Sequence, residues 1–400
     1  MKVIDVKKQI GEFRRGVVDI TTFEELERKI AKGVPLRVKL GVDPTAPDIH
    51  LGHTVVLRKL RQFQDLGHKA VLIIGDFTGL IGDPSGRTKT RPQLSVEELE
   101  VNAKTYLEQV GKVLDMETVE IRRNSEWLKP LTFAEIMWLA GKLTVSSLLE
   151  RRDFAQRFEN HKPIGLHEFM YPLMQAYDSV VVKADVELGG SDQIFNLLAG
   201  RWLQVEMRQE AQIAVTMPLL LGTNGVEKMS KSYGNHIGVS EPTFEMYSKV
   251  MSIADGLMKD YFTLLTNVPL KEVEELLVGH PMTAKKRLAH EIVTNYHSEK
   301  NADEAAGRWE SVMSKKEVPS DTPTLEIKKA DLKDGKIWIV QLVAMTKVAN
   351  SNSDVRRLIE QGGVELGGEK ISDSKANISI QEDSILKIGK KNRYFRLKVV

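Results

Sequence analysis

The sequence predicts an α/β protein with a doubly wound, parallel sheet, followed by an all-α domain and a small α+β domain. Three observations support this prediction. Apolar runs typical of buried strands alternate with helical patterns as far as about residue 220. Residues 241–316 have helical periodicity throughout. From residue 337 onward the chain ends in short runs that alternate apolar and polar side chains.

The first strand, helix and second strand are the best defined elements. Residues 36–42 form an apolar run, a helical pattern begins near His50, and residues 69–75 form a second apolar run. The connection between the two runs is long enough to join parallel strands. Because ligands bind beyond the carboxyl ends of such strands, we expect a site there.

The remaining elements follow the same patterns. Strands are predicted at 119–122, 179–182 and 213–219, and helices at 96–114 and 133–149. Two prolines within 317–323 break any helix and indicate a linker. The predicted divisions are a helical segment (1–32), a Rossmann-like domain (33–222), a loop with a helical domain (223–320), a linker (321–335) and a terminal domain (336–400).

Composition excludes several classes of protein. The chain has 400 residues, 42% hydrophobic and 28% charged, which is typical of a folded protein with two or three domains. It contains no cysteine, so disulfides and cysteine-ligated metals are excluded. No apolar run approaches the roughly 20 residues of a membrane span, and we recognise no secretory signal. We therefore expect a cytoplasmic protein with no membrane partner.

Charge is distributed unevenly along the chain. Residues 336–400 contain 12 Lys and Arg against 7 Asp and Glu, although the whole chain has a net charge of only +2. The rest of the chain is slightly acidic. A basic terminal domain indicates a polyanionic partner, but a solvated basic surface without any partner explains the charge alone equally well.

Two histidines, His50 and His53, flank Gly52 where the loop after the first strand enters the predicted helix. Free N–H groups and the helix dipole favour phosphate at such a position, and two imidazoles add donors. Taken alone, histidines at this spacing are more often surface residues or metal ligands. No third histidine or carboxylate-rich set nearby completes a metal site, so we predict none.

A second motif, Lys-Met-Ser-Lys-Ser at 228–232, follows a glycine-containing polar stretch. Two lysines on a mobile loop suit a leaving pyrophosphate, because compact cationic groups can follow the charge as it develops. A solvated lysine loop is the simpler explanation of this pentapeptide by itself.

Together and in this order, the two motifs resemble the signatures of class I aminoacyl-tRNA synthetases. Within that class the chain resembles the bacterial tyrosyl-tRNA synthetase family, which matches four further stretches, at 41–45, 78–86, 171–178 and 189–193. Residues 347–364 are similar to an S-four-type RNA-binding module. The resemblance implies that the terminal domain binds tRNA(Tyr), that 223–320 contains the anticodon-side helices, and that 133–149 contributes dimerisation helices to a homodimer.

The resemblance also implies which residues form the site. The implied catalytic residues are Thr45, His50, His53, Arg87, Arg91, Lys228 and Lys231. The implied tyrosine-binding residues are Gly41, Asp83, Asn124, Tyr171, Gln175, Asp178 and Gln193. The implied ATP-binding residues are Asp43, Gly52, Gly190, Asp192, Met229 and Ser230.

The implied reaction is attack of the tyrosine carboxylate on the α-phosphate of ATP, followed by transfer of the tyrosyl group to tRNA. The substrate carboxylate is itself the nucleophile, so catalysis rests on positioning and electrostatic stabilisation. We expect ATP with Mg²⁺ as a substrate, with Mg²⁺ carried by the triphosphate, and no tightly bound cofactor.

Position 39 departs from the family, which usually has a tyrosine there that contacts the substrate hydroxyl. This chain has Lys39. We expect the lysine to turn away from the pocket, because a charged side chain is costly to bury unpaired. Recognition of the phenol would then depend mainly on Asp178.

Three alternatives remain open from the sequence. A tryptophanyl-tRNA synthetase shares the fold and both motifs, although Asp178 and the terminal domain favour tyrosine. An RNA-binding scaffold derived from a synthetase is opposed by the intact histidines and lysines. A small nucleotidyltransferase would not explain the helical and basic domains that follow the sheet.

Overall fold

The computed structural model describes residues 5–85, 94–314, 322–349, 351–381, 383–389 and 393–400. The chain divides into two compact units, Met1–Ala302 and Asp303–Val400. The structure does not test the predicted domain boundaries as a set, and they stay a prediction.

The first unit is built on a six-stranded sheet with the strand order β1-β6-β5-β2-β3-β4. All neighbouring strands are parallel except the short β1, which pairs antiparallel with β6. The doubly wound α/β fold is therefore confirmed. The strands are β1 (Asp19–Ile20), β2 (Arg37–Val42), β3 (Lys69–Ile74), β4 (Glu120–Arg123), β5 (Val186–Gly190) and β6 (Ile213–Met217).

Helices cover this sheet and continue beyond it. Among the described helices, none has the length and apolar character needed to cross a membrane. The helices up to β6 are α1 (Val6–Phe13), α2 (Phe23–Ala31), α3 (Leu51–Asp65), α4 (Val96–Val110), α5 (Ser125–Leu128), α6 (Phe133–Ala140), α7 (Val145–Leu149), α8 (Arg152–Glu159), α9 (Leu166–Val181) and α10 (Ile194–Glu206). Those that follow are α11 (Thr243–Met251), α12 (Met258–Leu265), α13 (Leu270–Val278), α14 (Pro281–Tyr296) and α15 (Glu299–Trp309).

The central strands are buried because their sequences are apolar and covered on both faces. In β3 every residue after Lys69 is buried, as expected for a parallel strand between two layers of helices. The chain leaves β2 for β3 on one side, while β5 lies on the other side of β2. This reversal of strand order opens a crevice at the carboxyl ends of β2 and β5, where ligands bind in such folds.

Two predicted elements of this unit are wrong. Residues 179–182, predicted as a strand, form the last turn of α9 and its C-cap, and the strand follows as β5. A short apolar run fits a buried helix as well as a buried strand, so periodicity alone could not separate them. The single helix predicted at 133–149 is two helices, because α6 ends at Gly141 and Thr144 caps a new start.

The second unit has its own sheet and core. Five strands have the order β10-β9-β12-β13-β7, and β8 pairs with β11. The strands are β7 (Thr324–Ile327), β8 (Lys336–Trp338), β9 (Val364–Leu366), β10 (Glu369–Lys370), β11 (Asn377–Ser379), β12 (Ile385–Ile388) and β13 (Arg393–Val399), with helices α16 (Ile339–Met345) and α17 (Asn352–Glu360). These elements form the expected small α+β fold.

The linker predicted at 321–335 is wrong in part. β7 lies within it and pairs in parallel with β13. Ile327, at the end of β7, is fully buried in the core of this unit. This part of the segment therefore belongs to the folded terminal unit, because the burial of Ile327 and the pairing of β7 with β13 outweigh the nearby prolines. Residues 315–321 lie outside the described residues.

Candidate active site

A cavity of about 380 Å³ lies at the carboxyl ends of β2, β3 and β5. It brings together most of the residues predicted for the site. Of the predicted residues, those that line it are Gly41, Asp43, Thr45, His50, Gly52, His53, Asp83, Asn124, Tyr171, Gln175, Asp178, Gly190, Asp192, Gln193, Lys228, Met229 and Ser230. Lys231 does not line the cavity, and Arg87 and Arg91 lie outside the described residues.

The two histidines cap the first turn of α3. His50 Nδ1 accepts a hydrogen bond from the Gly52 amide at 3.2 Å, and His53 Nδ1 accepts one from the His50 amide at 3.2 Å. Their rings stack with centroids 3.8 Å apart. Because each Nδ1 accepts, the proton of a neutral ring lies on Nε2, so each ring has a donor free of the cap.

Both histidines are neutral near pH 7. Burial, with a smaller contribution from neighbouring histidines, lowers the pKa of His50 to about 2. His53 is open to the cavity but surrounded by protein, and this burial lowers its pKa to about 4. The pair therefore offers neutral N–H donors beside a helix N-terminus, a combination suited to an anionic group.

Gly52 is required by the position of the His50 ring. A Cβ atom at residue 52 would lie 3.0 Å from two ring atoms of His50 and 3.5 Å from the Cβ of Met229. Any larger residue would displace the ring or the lysine loop. The glycine thus allows the histidine motif and the loop to approach each other closely.

The loop 228–232 is held by a residue that the sequence analysis missed. The Asn235 side chain accepts from the Ser230 amide at 2.8 Å and donates to the Lys228 carbonyl at 3.2 Å. Asn235 is buried. Buried backbone groups need hydrogen bonds, and this loop is not part of an α-helix or β-strand that would supply them. The side-chain amide of Asn235 supplies those of Ser230 and Lys228 instead.

The two lysines of this loop face carboxylates. Lys231 forms an ion pair with Asp48, and the Lys228 Nζ lies 3.9 Å from a carboxylate oxygen of Asp192. Both lysines are about half exposed. Exposed pairs of this kind are weak, so either lysine can exchange its partner for a stronger anion.

Asp43 is fixed by two hydroxyl groups. Its carboxylate accepts from Thr78 Oγ1 at 2.8 Å and from the Tyr171 hydroxyl at 2.9 Å. A side chain at Gly75 would occupy the position of this carboxylate and of the Thr78 hydroxyl. Asp43, expected on the ATP side, therefore lies beside Tyr171, a residue expected on the tyrosine side.

A second carboxylate is oriented by Gln193. The Gln193 amide donates to Asp83 at 2.6 Å, and the Ser85 backbone donates to the other oxygen of Asp83 at 2.8 Å. Asn196 in turn donates to the Gln193 carbonyl at 2.9 Å. Asp83, Gln193 and Tyr171 all line the cavity, and their roles in binding the amino acid stay a prediction.

Asp178 is the most deeply buried carboxylate of the cavity. It accepts from the Trp127 indole at 2.8 Å and from the Asn124 amide at 3.3 Å. Burial raises the pKa of Asp178 to about 7, and the charge of Lys39 and the two hydrogen bonds act in the opposite direction. The carboxylate is therefore held close to the point at which it gains a proton.

Lys39 lies outside the cavity lining but is not in solvent. Its side chain is fully buried and pairs with Glu187, with Nζ 2.8 Å from Oε1. The two residues are direct partners in the parallel ladder between β2 and β5. Glu187 was not predicted as the partner, because one sequence does not show which strands are neighbours.

The charge of the lining is strongly one-sided. Within the part of the chain that the structure describes, its ionisable acids and bases, apart from histidine and tyrosine, are one lysine and five aspartates: Asp43, Asp48, Asp83, Asp178 and Asp192. Such a cavity favours a ligand that brings a cationic group of its own. Among the described residues, no group of three or more His, Asp or Glu side chains is arranged to hold a metal ion.

Comparison with known proteins gives one consistent family. Residues 31–314 match the family described as class I tRNA synthetases (W and Y). The chain is 51% identical to the tyrosine-tRNA ligase of Moorella thermoacetica, covering 97% of this chain and 95% of that protein. It is 50% identical to the enzyme of that name from Thermotoga maritima, covering 97% of each.

Solved structures agree at the level of fold. A truncated mitochondrial tyrosyl-tRNA synthetase from Aspergillus nidulans superposes with a TM-score of 0.64 at 22% identity, covering 77% of this chain and 94% of that chain. A tyrosyl-tRNA synthetase from Archaeoglobus fulgidus, solved with L-tyrosine, has a TM-score of 0.62 at 21% identity, covering 76% of this chain and all of the other. From its sequence and fold together, the chain belongs to the tyrosyl-tRNA synthetase family of class I aminoacyl-tRNA synthetases.

Proposed function

We propose that the protein activates tyrosine with ATP to form tyrosyl-adenylate and then transfers the tyrosyl group to tRNA(Tyr). The main support for this proposal is that a single cavity has two chemically different ends. One end is lined by Asp83 and Asp178, and the other by the neutral donors His50 and His53 together with Lys228. Identity of about 50% with tyrosine-tRNA ligases over nearly the whole chain supports it. Its role in protein synthesis would place it in the cytoplasm.

The acidic end suits the amino acid. Asp83, Tyr171 and the Gln175 carbonyl offer oxygen acceptors for the N–H groups of an ammonium ion. Asp178, held by the indole of Trp127, is available to accept from a phenol. Identity of about 50% with tyrosine-tRNA ligases favours tyrosine over tryptophan as the substrate.

The other end suits the nucleotide. The Nε2–H donors of His50 and His53, at the N-terminus of α3, would face the phosphates. Lys228 and Lys231 would leave Asp192 and Asp48 to follow the pyrophosphate as negative charge develops. Asp192, once released, would accept from the ribose hydroxyls. Mg²⁺ would enter with the triphosphate as part of the substrate.

The direct test is ATP–pyrophosphate exchange with the purified full-length chain and three amino acids in turn. We expect exchange with tyrosine and none detectable above background with tryptophan. We expect phenylalanine to be disfavoured by roughly four to five powers of ten, a ratio already characteristic of tyrosine synthetases. Exchange that prefers tryptophan, or no exchange with any amino acid, would contradict the proposal.

The ionisation of Asp178 predicts a pH dependence. Its pKa is raised to about 7, so the acceptor is fully charged above that pH and increasingly protonated below it. We expect kcat/KM for tyrosine, measured at saturating ATP, to fall by about tenfold from pH 8 to pH 6. The Asp178→Asn variant should be less active and lose this dependence. A wild-type profile that is flat over this range contradicts the assignment.

Lys231 is expected to act mainly in the transition state. The Lys231→Ala variant should lower kcat of exchange by about a hundredfold and change the KM for ATP much less, because the charge it meets develops during reaction. Lys32, also exposed and paired with a carboxylate, provides a matched control, and Lys32→Ala should behave as wild type. A raised KM for ATP with unchanged kcat would assign Lys231 to simple ATP binding.

The terminal unit is proposed to bind tRNA. Arg356 and Arg357 are exposed on α17, within the stretch that is similar to S-four modules. The double Arg356→Gln/Arg357→Gln variant should keep tyrosine-dependent exchange, raise the KM for tRNA about tenfold, and reduce the salt slope of tRNA binding by about two. Lys328→Gln, an exposed lysine of the same unit, is the control. Unchanged tRNA binding would show that this surface is not used.

A homodimer is proposed from an apolar surface on α6 and α10. These helices share a buried cluster with α9, and their outer sides expose Phe133, Trp138, Trp202 and Val205. Adjacent exposed apolar side chains of this size favour an interface. We propose a second copy of the chain as the partner because the resemblance assigns 133–149, which includes α6, to dimerisation. Helix α10 shares a buried cluster with α6 and carries the rest of the patch.

Light scattering tests this interface. We expect a mass of about twice the 45.0 kDa chain for the wild type, and the single-chain mass for a Phe133→Glu/Trp202→Glu variant. Val278 is 91% exposed on α13, so Val278→Glu is the matched control and should leave the mass unchanged. A wild-type protein of single-chain mass would contradict the proposal.

A further inference from the structure

The Lys39–Glu187 pair lies directly behind the acidic end of the cavity. Both residues of the pair contact Gln175, which lines the cavity. The lysine uses all three of its hydrogens, on the main-chain carbonyl of Gln175 at 2.9 Å, Ser179 Oγ at 2.7 Å and Glu187 at 2.8 Å. Two of these partners lie on α9, the helix that carries Asp178.

Glu187 is equally saturated. It accepts from Lys39 and from the Gln175 side-chain amide at 3.1 Å on one oxygen, and from Ser179 at 2.9 Å and Gln212 on the other. A buried carboxylate with four donors is as fully satisfied as that group can be. Loss of either charge would leave the other unpaired in the core, which is strongly unfavourable.

This arrangement fixes which end of the Gln175 amide faces the ligand. A side-chain amide has a donor end and an acceptor end. Glu187 can only accept, so it takes the amide NH₂ of Gln175. Gln175 lines the cavity together with Asp83 and Tyr171, so its side-chain carbonyl oxygen is the end left to accept from a ligand. That is the end required to receive an ammonium N–H.

The same pair affects Asp178. Lys39 favours its charged form and Glu187 opposes this. The other polar groups around Asp178 are the Trp127 indole, the Asn124 amide and Tyr171. Among these named groups, Lys39 is the only cation, so its loss would favour the protonated acid.

Gly200 on α10 lies directly against the polar groups around Glu187. A Cβ atom there would lie 2.6 Å from Gln212 Nε2, 3.0 Å from Ser179 Oγ and 3.1 Å from Glu187 Oε2. Contacts this short force the neighbours to shift. Only glycine at this position leaves the polar groups where they are, although a helix interior disfavours glycine.

We propose that Lys39 and Glu187 are positioning residues that determine amino-acid specificity: they turn the Gln175 carbonyl toward the substrate ammonium and place a fixed positive charge behind Asp178. The inference rests on the proposed tyrosine activation. It also explains how a lysine can stand where related enzymes have a tyrosine, since the lysine acts on the pocket through Gln175 and Asp178 without touching the ligand.

The test is exchange kinetics of a double Lys39→Met/Glu187→Gln variant, which removes both charges and keeps the side-chain lengths. We expect the KM for tyrosine to rise about tenfold and the preference for tyrosine over phenylalanine in kcat/KM to fall about tenfold, while the KM for ATP stays within about twofold. A folded variant, checked by its melting temperature, with wild-type values for tyrosine would overturn the inference. So would equal increases in both KM values, which indicate general damage.

Gly200→Ala provides a second test that changes no charge and does not depend on the double variant folding. It should raise the KM for tyrosine several-fold and leave that for ATP unchanged, because the methyl group displaces Glu187 and its partners. Gly11→Ala, at a helical glycine with open space around it, is the control and should match wild type. If Gly200→Ala also matches wild type, the inference fails. Absence of tyrosine-dependent exchange in the wild type would instead contradict the proposed function itself.

Discussion

The arrangement of this site depends on one constraint, the accumulation of negative charge where three parallel strands end. Among the described residues, five aspartates and one lysine line the cavity, and carboxylates gathered in a partly buried space repel one another. Each needs donors or a cation. Protein groups supply some of these, through Thr78 and Tyr171 for Asp43 and Trp127 for Asp178. The remaining compensation is left to a ligand, which makes the cavity selective for a molecule that carries its own ammonium group.

The opposite end of the cavity is lined by positive and neutral groups instead of carboxylates alone. Nearby positive charge is provided by lysines on a loop, while His50 and His53 are kept neutral by their surroundings. Neutral donors fixed by a helix cap can stabilise an anion without holding it by full charge, so the product can leave. The lysines are paired with Asp48 and Asp192 in the absence of nucleotide. The proposed function requires both lysines to exchange these aspartates for phosphate.

The sequence alone predicted the doubly wound sheet and the position of the cavity, because strand hydrophobicity and the two short motifs are local signals. It failed where partners are distant in the chain. Glu187 lies beside Lys39 only because β5 is inserted next to β2, and nothing local to either residue indicates this. Asn235 and Trp127 support the site through side-chain hydrogen bonds, which leave no pattern in the sequence. Trp127 lies only three residues beyond Asn124, which was predicted, but nothing in the sequence distinguishes this tryptophan from an ordinary core residue. The strand predicted at 179–182 was wrong because a buried helix end has the same composition.

The most direct test of this account is calorimetric binding of three ligands in the absence of ATP: tyrosine, tyramine, which lacks the carboxylate, and 3-(4-hydroxyphenyl)propionate, which lacks the amine. If the negative charge of the aspartates selects the ligand, tyramine should bind within about tenfold of tyrosine, and the amine-free acid should bind at least about a hundredfold more weakly. Equal affinity of the amine-free acid and tyrosine would show that the phenol and the shape of the pocket, rather than the accumulated negative charge, determine binding.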